Sequence, residues 1–344
     1  MNVQDFQKMK DAGRRISMIT CYDYSSARAV ADSNIDCILV GDSLVMTMHG
    51  YPTTLSATTA MMALHTAAVA KGAPGKFIIG DLPFLSYRKG LKDAMDAVHE
   101  LMSAGAHAVK LEGVHGHADI IRHIVDSGVP VMGHLGLTPQ SFHALGGMKV
   151  QARTSSAVKV LTSQARELEV VGCFATVLEC VPAQVARRVT DLLKIPTIGI
   201  GAGPHVSGQV LVYQDLLGLN PGFKPKFLRV YANTFDVIRT ALNAYDDDVK
   251  SGAFPSESES YTDLESTDRK VTKRTEHAAK NGRGSRIWCG RGVTDRLGAR
   301  STETYSQPNK GPIEIEEMVR NGSVDLLKDF SEACRAEFES NLRI

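Results

Sequence analysis

The sequence predicts an α/β fold, a closed (β/α)8 or TIM barrel, followed by a C-terminal extension. Eight short apolar runs recur between residues 16 and 213, and a barrel of this kind needs eight strands. Segments with helical periodicity separate many of the runs, so strands and helices alternate along the chain. Most positions within a run are apolar, which is typical of parallel strands buried on both faces. A doubly wound open sheet built from the same elements is the main alternative.

The predicted elements span roughly 250 residues, the usual size of a single (β/α)8 domain. In chain order, the strand candidates are residues 16–21, 37–41, 76–81, 108–113, 129–134, 175–180, 195–201 and 209–213. The helical patterns are clearest over residues 57–71, 91–104 and 183–193. Gly72 and Gly105 directly follow the first two, and a helix often ends at a glycine. This order predicts one barrel domain over residues 1–254.

A change in composition near residue 254 predicts the end of that domain. Residues 253–266 contain four acids and no base, whereas residues 269–300 contain ten Lys or Arg against two acids. Neither stretch has much apolar periodicity, so residues 255–344 are expected to form a disordered, basic extension. Within it, residues 323–342 place their apolar side chains on one helical face, which predicts one amphipathic helix.

Composition excludes several classes of partner. The formal net charge of the 344 residues is +1, which predicts no nucleic-acid partner. No apolar run approaches the roughly 18 residues that span a bilayer, and the N-terminus lacks the apolar core of a signal peptide. The six cysteines form no C-x-x-C pair, so we expect reduced thiols in a cytoplasmic protein. His115 and His117 are expected to be a surface pair rather than zinc ligands.

Charged side chains at the ends of the predicted strands are the candidate site, because catalytic groups of such barrels lie at the carboxyl ends of the strands. In chain order these residues are Asp42 with Ser43, Asp81, Lys110 with Glu112, His134 and Glu179. Two carboxylates about 4 Å apart repel by roughly 4 kcal/mol at an effective dielectric near 20. Either their pKa values rise or a cation lies among them. A carboxylate set without cysteine favours a hard ion, which predicts Mg²⁺ at Asp42, Asp81 and Glu112.

The remaining candidates suit proton transfer and charge stabilisation. Lys110 stands two residues before Glu112, and strand alternation places both side chains on one face. Its charge could stabilise a substrate carboxylate or a developing enolate; a structural salt bridge is the alternative, and a Schiff-base role needs a depressed pKa. Glu179 is a candidate general base or acid, with a salt bridge at the rim as the alternative. His134 could either orient the site through hydrogen bonds or transfer protons.

Several blocks of the sequence resemble one enzyme family. The chain is similar to the ketopantoate hydroxymethyltransferases (the 3-methyl-2-oxobutanoate hydroxymethyltransferase family) of the phosphoenolpyruvate/pyruvate barrel superfamily. The resemblance extends from about Val3 to Phe254 and rests on the blocks ITCYDYSSA, LVGDSLVMTMHGYPTTL, HTAAVAKGAP, GDLPFLSY, AGAHAVKLEG, GHLGLTPQS, LECVPAQVA and IPTIGIGAG.

The resemblance implies an aldol-type reaction at the same residues. It implies one Mg²⁺ per subunit, bound by Asp42 and Asp81 with Glu112 completing or supporting the shell. It also implies that the α-keto acid contacts Asp42, Ser43, Asp81 and Lys110, and that Glu179 is the proton acceptor, either for C3 of the substrate or for a folate nitrogen.

The implied reaction transfers a hydroxymethyl group from 5,10-methylenetetrahydrofolate to 3-methyl-2-oxobutanoate, giving 2-dehydropantoate and tetrahydrofolate. This is the first step of pantothenate biosynthesis, and the family is commonly a homo-oligomer, a decamer.

Two alternative functions stay open from the sequence. Another Mg²⁺-dependent α-keto-acid carboligase or lyase of the same superfamily would share the metal site, and an assay with and without methylenetetrahydrofolate distinguishes it. A degenerate barrel could instead serve as a scaffold for the basic extension, although the intact acids and Lys110 argue against that hypothesis.

Overall fold

Eight parallel strands close into a barrel in the computed structural model, which describes residues 1–261. The strands are β1 (Ile16–Thr20), β2 (Cys37–Val40), β3 (Phe77–Asp81), β4 (Ala108–Lys110), β5 (Val131–Gly136), β6 (Ala175–Glu179), β7 (Thr197–Ile200) and β8 (Gly208–Leu211). Each strand pairs with its neighbour in sequence, and β8 pairs with β1 to close the barrel. The predicted barrel is therefore confirmed with all eight strands, and the open-sheet alternative is wrong.

Eleven α-helices surround or cap the strands within the described residues. They are α1 (Val3–Asp11), α2 (Tyr24–Ala31), α3 (Leu44–Thr47), α4 (Thr59–Gly72), α5 (Leu91–Ser103), α6 (Ala118–Asp126), α7 (Phe142–Leu145), α8 (Ser155–Val170), α9 (Ala183–Leu192), α10 (Tyr213–Leu216) and α11 (Thr234–Ser251). Single 3-10 turns occur at Thr54–Ser56, Pro139–Ser141 and Glu257–Glu259. Helices α4, α5 and α9 confirm the three clearest helical patterns in the sequence.

Polar side chains fix where several of these helices begin. Thr58 accepts a hydrogen bond from the backbone of Met61 at the start of α4, and Asp23 does the same for Ser26 at the start of α2. Such caps satisfy backbone donors that have no partner within the first helical turn. They place each helix directly after the loop that leaves the strand.

The alternation of strand and helix fails at one point of the ring. Residues 201–207 connect β7 to β8 through bends, and the structure places no helix in that connection. Gln209 on β8 is therefore exposed, and its side-chain amide donates to the carbonyl of Gly203 at 2.9 Å.

Helix α1 closes the amino end of the barrel. Phe6 is fully buried there and packs edge-on against Phe77 and Phe174, with ring centroids 5.3 and 5.1 Å away. Such aromatic contacts bury a large apolar area. Met9 belongs to the same cluster, which continues into the barrel interior. Since this end is filled by side chains, the carboxyl end is the side that carries the cavity described below.

The structure contradicts the prediction for the histidine pair and does not test the prediction for the extension. The pair at residues 115–117 is not a surface pair, because His117 is only 3% exposed and its ring lies 5.2 Å from that of Tyr87. The helix predicted over 323–342 and the disordered extension lie outside the described residues, and the domain boundary at residue 254 stays a prediction.

Among the helices of residues 1–261, none is both long and apolar enough to cross a membrane.

Candidate active site

The predicted site residues all line one cavity at the carboxyl end of the barrel. The cavity has a volume of about 650 Å³. Among the residues that line it are Asp42, Ser43, Asp81, Lys110, Glu112, His134 and Glu179. These residues end, or directly follow, the successive strands β2 to β6, so the parallel register of the barrel brings them together.

Lys110 and Asp81 form a buried ion pair on the floor of this cavity. The two residues are register partners on β4 and β3, and Nζ lies 2.7 Å from Oδ2. Burial alone would lower the pKa of Lys110, but the carboxylates of Asp81, Glu112 and Asp42 outweigh it and raise that pKa. Lys110 is therefore protonated at neutral pH, which favours charge stabilisation and disfavours a Schiff base, because only a neutral amine is nucleophilic.

Asp42 lies in an environment that disfavours its charge. Burial raises its pKa well above the ordinary value, and the neighbouring carboxylates of Asp81 and Glu112 raise it further. Burial likewise raises the pKa of Asp81, with the charge of Lys110 opposing that shift. The floor holds four carboxylates, Asp42, Asp81, Glu112 and Glu179, against two basic groups, Lys110 and His134, so the cluster attracts a further positive charge.

Ser43 is held at the edge of the same cluster. Its hydroxyl lies 2.7 Å from the hydroxyl of Tyr22, a residue that is fully buried between β1 and α2. The Tyr22 contact fixes the Ser43 side chain beside Asp42, where a substrate oxygen could reach its hydroxyl. Sequence reasoning did not find Tyr22, since its distance from Ser43 along the chain carries no local signal.

Gln140 and Tyr87 connect the acidic residues and were also missed. The side-chain amide of Gln140 donates to Asp42 Oδ2 at 2.9 Å, and its backbone N–H donates to Glu112 Oε2 at 2.9 Å. Tyr87 donates its hydroxyl hydrogen to Gln140 Oε1 at 2.8 Å and accepts from the backbone N–H of Glu112 at 3.1 Å. Gln140 lies in the quoted block GHLGLTPQS, but nothing in the block itself indicates these contacts.

Two carboxylate oxygens in the cluster have no hydrogen-bond partner within the described structure. Asp81 Oδ1 and Glu112 Oε1 are both buried, although an unpaired buried polar atom is costly. A cation bound in the cluster would give such an oxygen a partner. An all-oxygen donor set fits a hard ion such as Mg²⁺.

The cluster does not form a closed cage of protein ligands. Across residues 1–261, no three His, Cys, Asp or Glu side chains are arranged as a metal-binding group. Mg²⁺ commonly keeps several waters and binds only one or two carboxylates together with substrate oxygens. The donors of Asp42, Asp81 and Glu112 therefore fit an open site rather than a structural one.

His134 joins the acidic cluster to Glu179. Its Nε2 lies 3.3 Å from Glu179 Oε2, and its Nδ1 lies 3.4 Å from both Glu112 Oε1 and Lys110 Nζ. Burial and the charge of Lys110 would lower the pKa of His134, but the carboxylates of Glu112 and Glu179 beside its ring raise it to about 9. His134 thus carries charge between the carboxylates of Glu112 and Glu179, and whether it orients the site or transfers protons stays a prediction.

The mouth of the cavity differs from its floor. Tyr51, Met148, Phe223 and Phe227 line it with large apolar surfaces that are between 36% and 47% exposed. Lys149 and Lys226 line the same mouth and are exposed to solvent. The site therefore combines a charged floor with an aromatic, basic rim.

Comparison with known proteins identifies relatives over the barrel region. The family described as ketopantoate hydroxymethyltransferase matches residues 1–257. A 3-methyl-2-oxobutanoate hydroxymethyltransferase of Bdellovibrio bacteriovorus is 59% identical over 260 residues, which cover 76% of this chain and 99% of that protein. The enzyme of the same name from Legionella pneumophila is 51% identical over 262 residues, covering 76% of this chain and 100% of its own.

Solved structures support the architecture. A 2,3-dimethylmalate lyase of the PEP mutase/isocitrate lyase superfamily aligns with a TM-score of 0.50 at 13% identity, covering 82% of this chain and 98% of that one. A likeness at this identity concerns the fold alone. The family match covers most of the chain and includes every site residue described above. The chain therefore belongs to the ketopantoate hydroxymethyltransferase family, whose members are enzymes that transfer a hydroxymethyl group.

Proposed function

We propose that the chain transfers a hydroxymethyl group from 5,10-methylenetetrahydrofolate to 3-methyl-2-oxobutanoate in a Mg²⁺-dependent reaction. The products are 2-dehydropantoate and tetrahydrofolate, as in the first step of pantothenate biosynthesis. One observation carries the proposal: two buried carboxylate oxygens without a hydrogen-bond partner and a charged lysine lie on the floor of a cavity of about 650 Å³. The names of the two relatives support the choice of substrate.

Asp42 and Asp81, with Glu112 completing or supporting the shell, would hold one Mg²⁺ per subunit. Bound there, Mg²⁺ would act as a Lewis acid on the keto acid and make its C3 proton more acidic. The ion would also compensate the excess of carboxylates on the floor, which Lys110 and His134 do not balance.

Lys110 and Ser43 complete the binding of the keto acid in this proposal. Lys110 is protonated and only 3% exposed, so its charge acts in surroundings that contain little water. Electrostatic stabilisation is strongest in such surroundings, because less water screens it. The Ser43 hydroxyl, which Tyr22 orients, can contact a substrate oxygen.

Glu179 is the proton acceptor for C3 of the keto acid in this proposal. Its side chain is 18% exposed, more than any other side chain of the floor for which an ion-pair contact is described. It lies across His134 from Glu112, so it can face the substrate from the side opposite the metal ligands. One water, which the overall reaction consumes, replaces the two carbon–nitrogen bonds of the folate's methylene bridge, so that both nitrogens regain a hydrogen and the carbon leaves at the oxidation level of formaldehyde. The electron pair left at C3 forms the new carbon–carbon bond to this carbon, and its oxygen takes up the proton removed from C3.

The mouth of the cavity offers a binding surface for the second, larger substrate, the folate. A cavity of about 650 Å³ lies within the range of roughly 300–1,000 Å³ that larger organic ligands occupy, and it exceeds the needs of a five-carbon acid. Tyr51, Phe223 and Phe227 offer flat surfaces on which a pteridine ring could stack. These residues are candidates for the folate side of the site.

The test is product formation by the full chain from 3-methyl-2-oxobutanoate and methylenetetrahydrofolate. We expect 2-dehydropantoate with Mg²⁺ and almost none after the metal is removed with a chelator. If the folded, Mg²⁺-loaded protein forms no product, the proposal is wrong. Turnover of an α-keto acid that does not need the folate would instead favour another carboligase or lyase of the superfamily.

A further inference from the structure

We infer that Gln140 is a positioning residue that sets the affinity of the site for a divalent cation. Its side-chain amide holds one oxygen of Asp42, and its backbone N–H holds Oε2 of Glu112, so that both proposed ligands are fixed in place. The inference rests on the metal site of the proposed function and assigns a role to a residue that need not contact the ion.

Gln140 lies where it can join several strand ends. It belongs to the 3-10 turn Pro139–Ser141 that follows β5, and it is 5% exposed. It contacts Asp42 after β2, the carbonyl of Leu82 after β3, and Glu112 after β4, each at 2.9 Å. A single residue therefore fixes the relative positions of groups from three neighbouring strands.

The amide is the functional group that these contacts require. Its nitrogen donates two hydrogen bonds, to Asp42 and to the Leu82 carbonyl, while its oxygen accepts from Tyr87. A carboxylate at this position would place acceptors against Asp42 and the Leu82 carbonyl, and an apolar side chain would leave both without a donor.

Tyr87 supports the same arrangement from the other side. Its hydroxyl donates to Gln140 Oε1 and accepts from the backbone N–H of Glu112. Glu112 is thus held at its side chain by the backbone of Gln140 and at its backbone by Tyr87. Residues that orient metal ligands in this way typically contribute about 10- to 100-fold in metal affinity.

The experiment compares Mn²⁺ binding by the full-length wild type and Gln140→Met, with free Mn²⁺ measured by its EPR signal. We expect Gln140→Met to bind Mn²⁺ about 10- to 100-fold more weakly. Activity should need correspondingly more Mg²⁺ and recover when the metal is in excess. The matched control is Gln209→Met, the same substitution on the exposed outer face of β8, which should leave Mn²⁺ affinity unchanged.

The outcomes separate the inference from the proposed function. If the wild type binds no Mn²⁺, the metal site itself is wrong. If the wild type binds Mn²⁺ and folded Gln140→Met binds it equally well, the positioning role is wrong while the proposed function stands. Should Gln140→Met fail to fold, Gln140→Asn and Tyr87→Phe provide the milder test, and unchanged Mn²⁺ affinity in both would overturn the inference.

Discussion

Lys110 and Asp81 meet in the barrel interior, where neither charge has much contact with water. Their 2.7 Å contact joins two side chains that are 4% and 2% exposed. When one partner of such a buried pair is removed, the other stays as an uncompensated charge, which costs far more than the loss of an exposed pair. The stability of the protein therefore depends on two residues that the proposed function also places at the substrate.

We expect Lys110→Met to lower the free energy of unfolding by about 3–5 kcal/mol, as measured by urea denaturation. The double variant Lys110→Met/Asp81→Asn should be more stable than Lys110→Met alone, because it removes the stranded charge, yet it should stay inactive. Lys92→Met, which breaks an exposed ion pair with Asp96 on α5, is the control and should change stability little. A double variant less stable than Lys110→Met would contradict this account.

Replacement of Glu179 tests its proposed role as the base. Glu179→Gln keeps the size of the side chain but removes the base, so kcat should fall by about 10²- to 10⁴-fold with little loss of keto-acid binding. Exchange of the C3 proton of 3-methyl-2-oxobutanoate with deuterated solvent should fall in parallel.

Glu167→Gln, on α8 and not among the cavity-lining residues, is the control and should leave both rates unchanged. Retained C3 exchange with lost product formation would move Glu179 to the folate nitrogen, and a near-normal kcat would refute its role as base.

The residues that the sequence could identify are those at the ends of apolar runs. Asp42, Asp81 and Glu179 each interrupt a hydrophobic stretch, and a charge in that position is visible without a structure. Gln140 and Tyr87 are different, because their contacts join residues 98 and 53 positions apart. A single glutamine or tyrosine in a loop is not part of a periodic pattern in the sequence. Its hydrogen-bond partners are therefore known only from the folded structure.

At the scale of the elements, helix α6 begins beside a buried histidine. Burial and the nearby charge of Arg88 lower the pKa of His117 from 6.5 to about 4, while Nδ1 lies 3.0 Å from the carbonyl of His115. The folded state therefore keeps His117 neutral in a range where the unfolded chain binds a proton.

This difference predicts a pH dependence of stability. As the pH falls from about 6.5 to about 4, the unfolded state gains a proton that folded His117 does not, so the free energy of unfolding should decrease. The shift corresponds to roughly 3 kcal/mol at most. His117→Gln should lose less stability over this window in urea titrations, whereas the exposed His143→Gln should behave as wild type. Equal slopes for all three proteins would show that His117 does not titrate in this way.

The alternation of strands and helices was predictable because apolar runs and amphipathic segments differ in period. No helix was predicted between β7 and β8, because the runs 195–201 and 209–213 leave only seven residues between them, and the structure places none there. Helix α1 was missed as an element, because its role in filling the amino end depends on Phe77 and Phe174, which are distant in sequence.

At the scale of the whole molecule, helix α11 has an apolar face that the described residues do not cover. None of its 18 residues is buried. Its exposed apolar side chains recur at three- and four-residue spacing, as in a helix that packs along one seam: Phe235, Ile238, Leu242, Tyr245 and Val249. The relatives described above match over 99% and 100% of their own length, so they possess the corresponding region without a long extension.

We therefore expect the chain to be a homo-oligomer in which α11 is covered by another copy. Leu242→Glu in the full chain should reduce the molecular mass measured by sedimentation equilibrium, because it places a charge in the apolar seam. Thr240→Glu, on a different face of α11, should not. If the wild type is a monomer at micromolar concentration, or if Leu242→Glu leaves the mass unchanged, α11 is not such an interface.

The seven candidate residues come from one side of the barrel, the strand ends of β2 to β6, whereas β7, β8 and β1 contribute Ile200, Val210 and Thr20 to the cavity wall. Mutant libraries could exploit this asymmetry. Randomising Thr20, Ile200 and Val210 would change the shape of that part of the cavity wall and leave the seven candidate residues in place. Variants that accept other aldehydes could then be selected from such a library by growth, with the charged floor left unchanged.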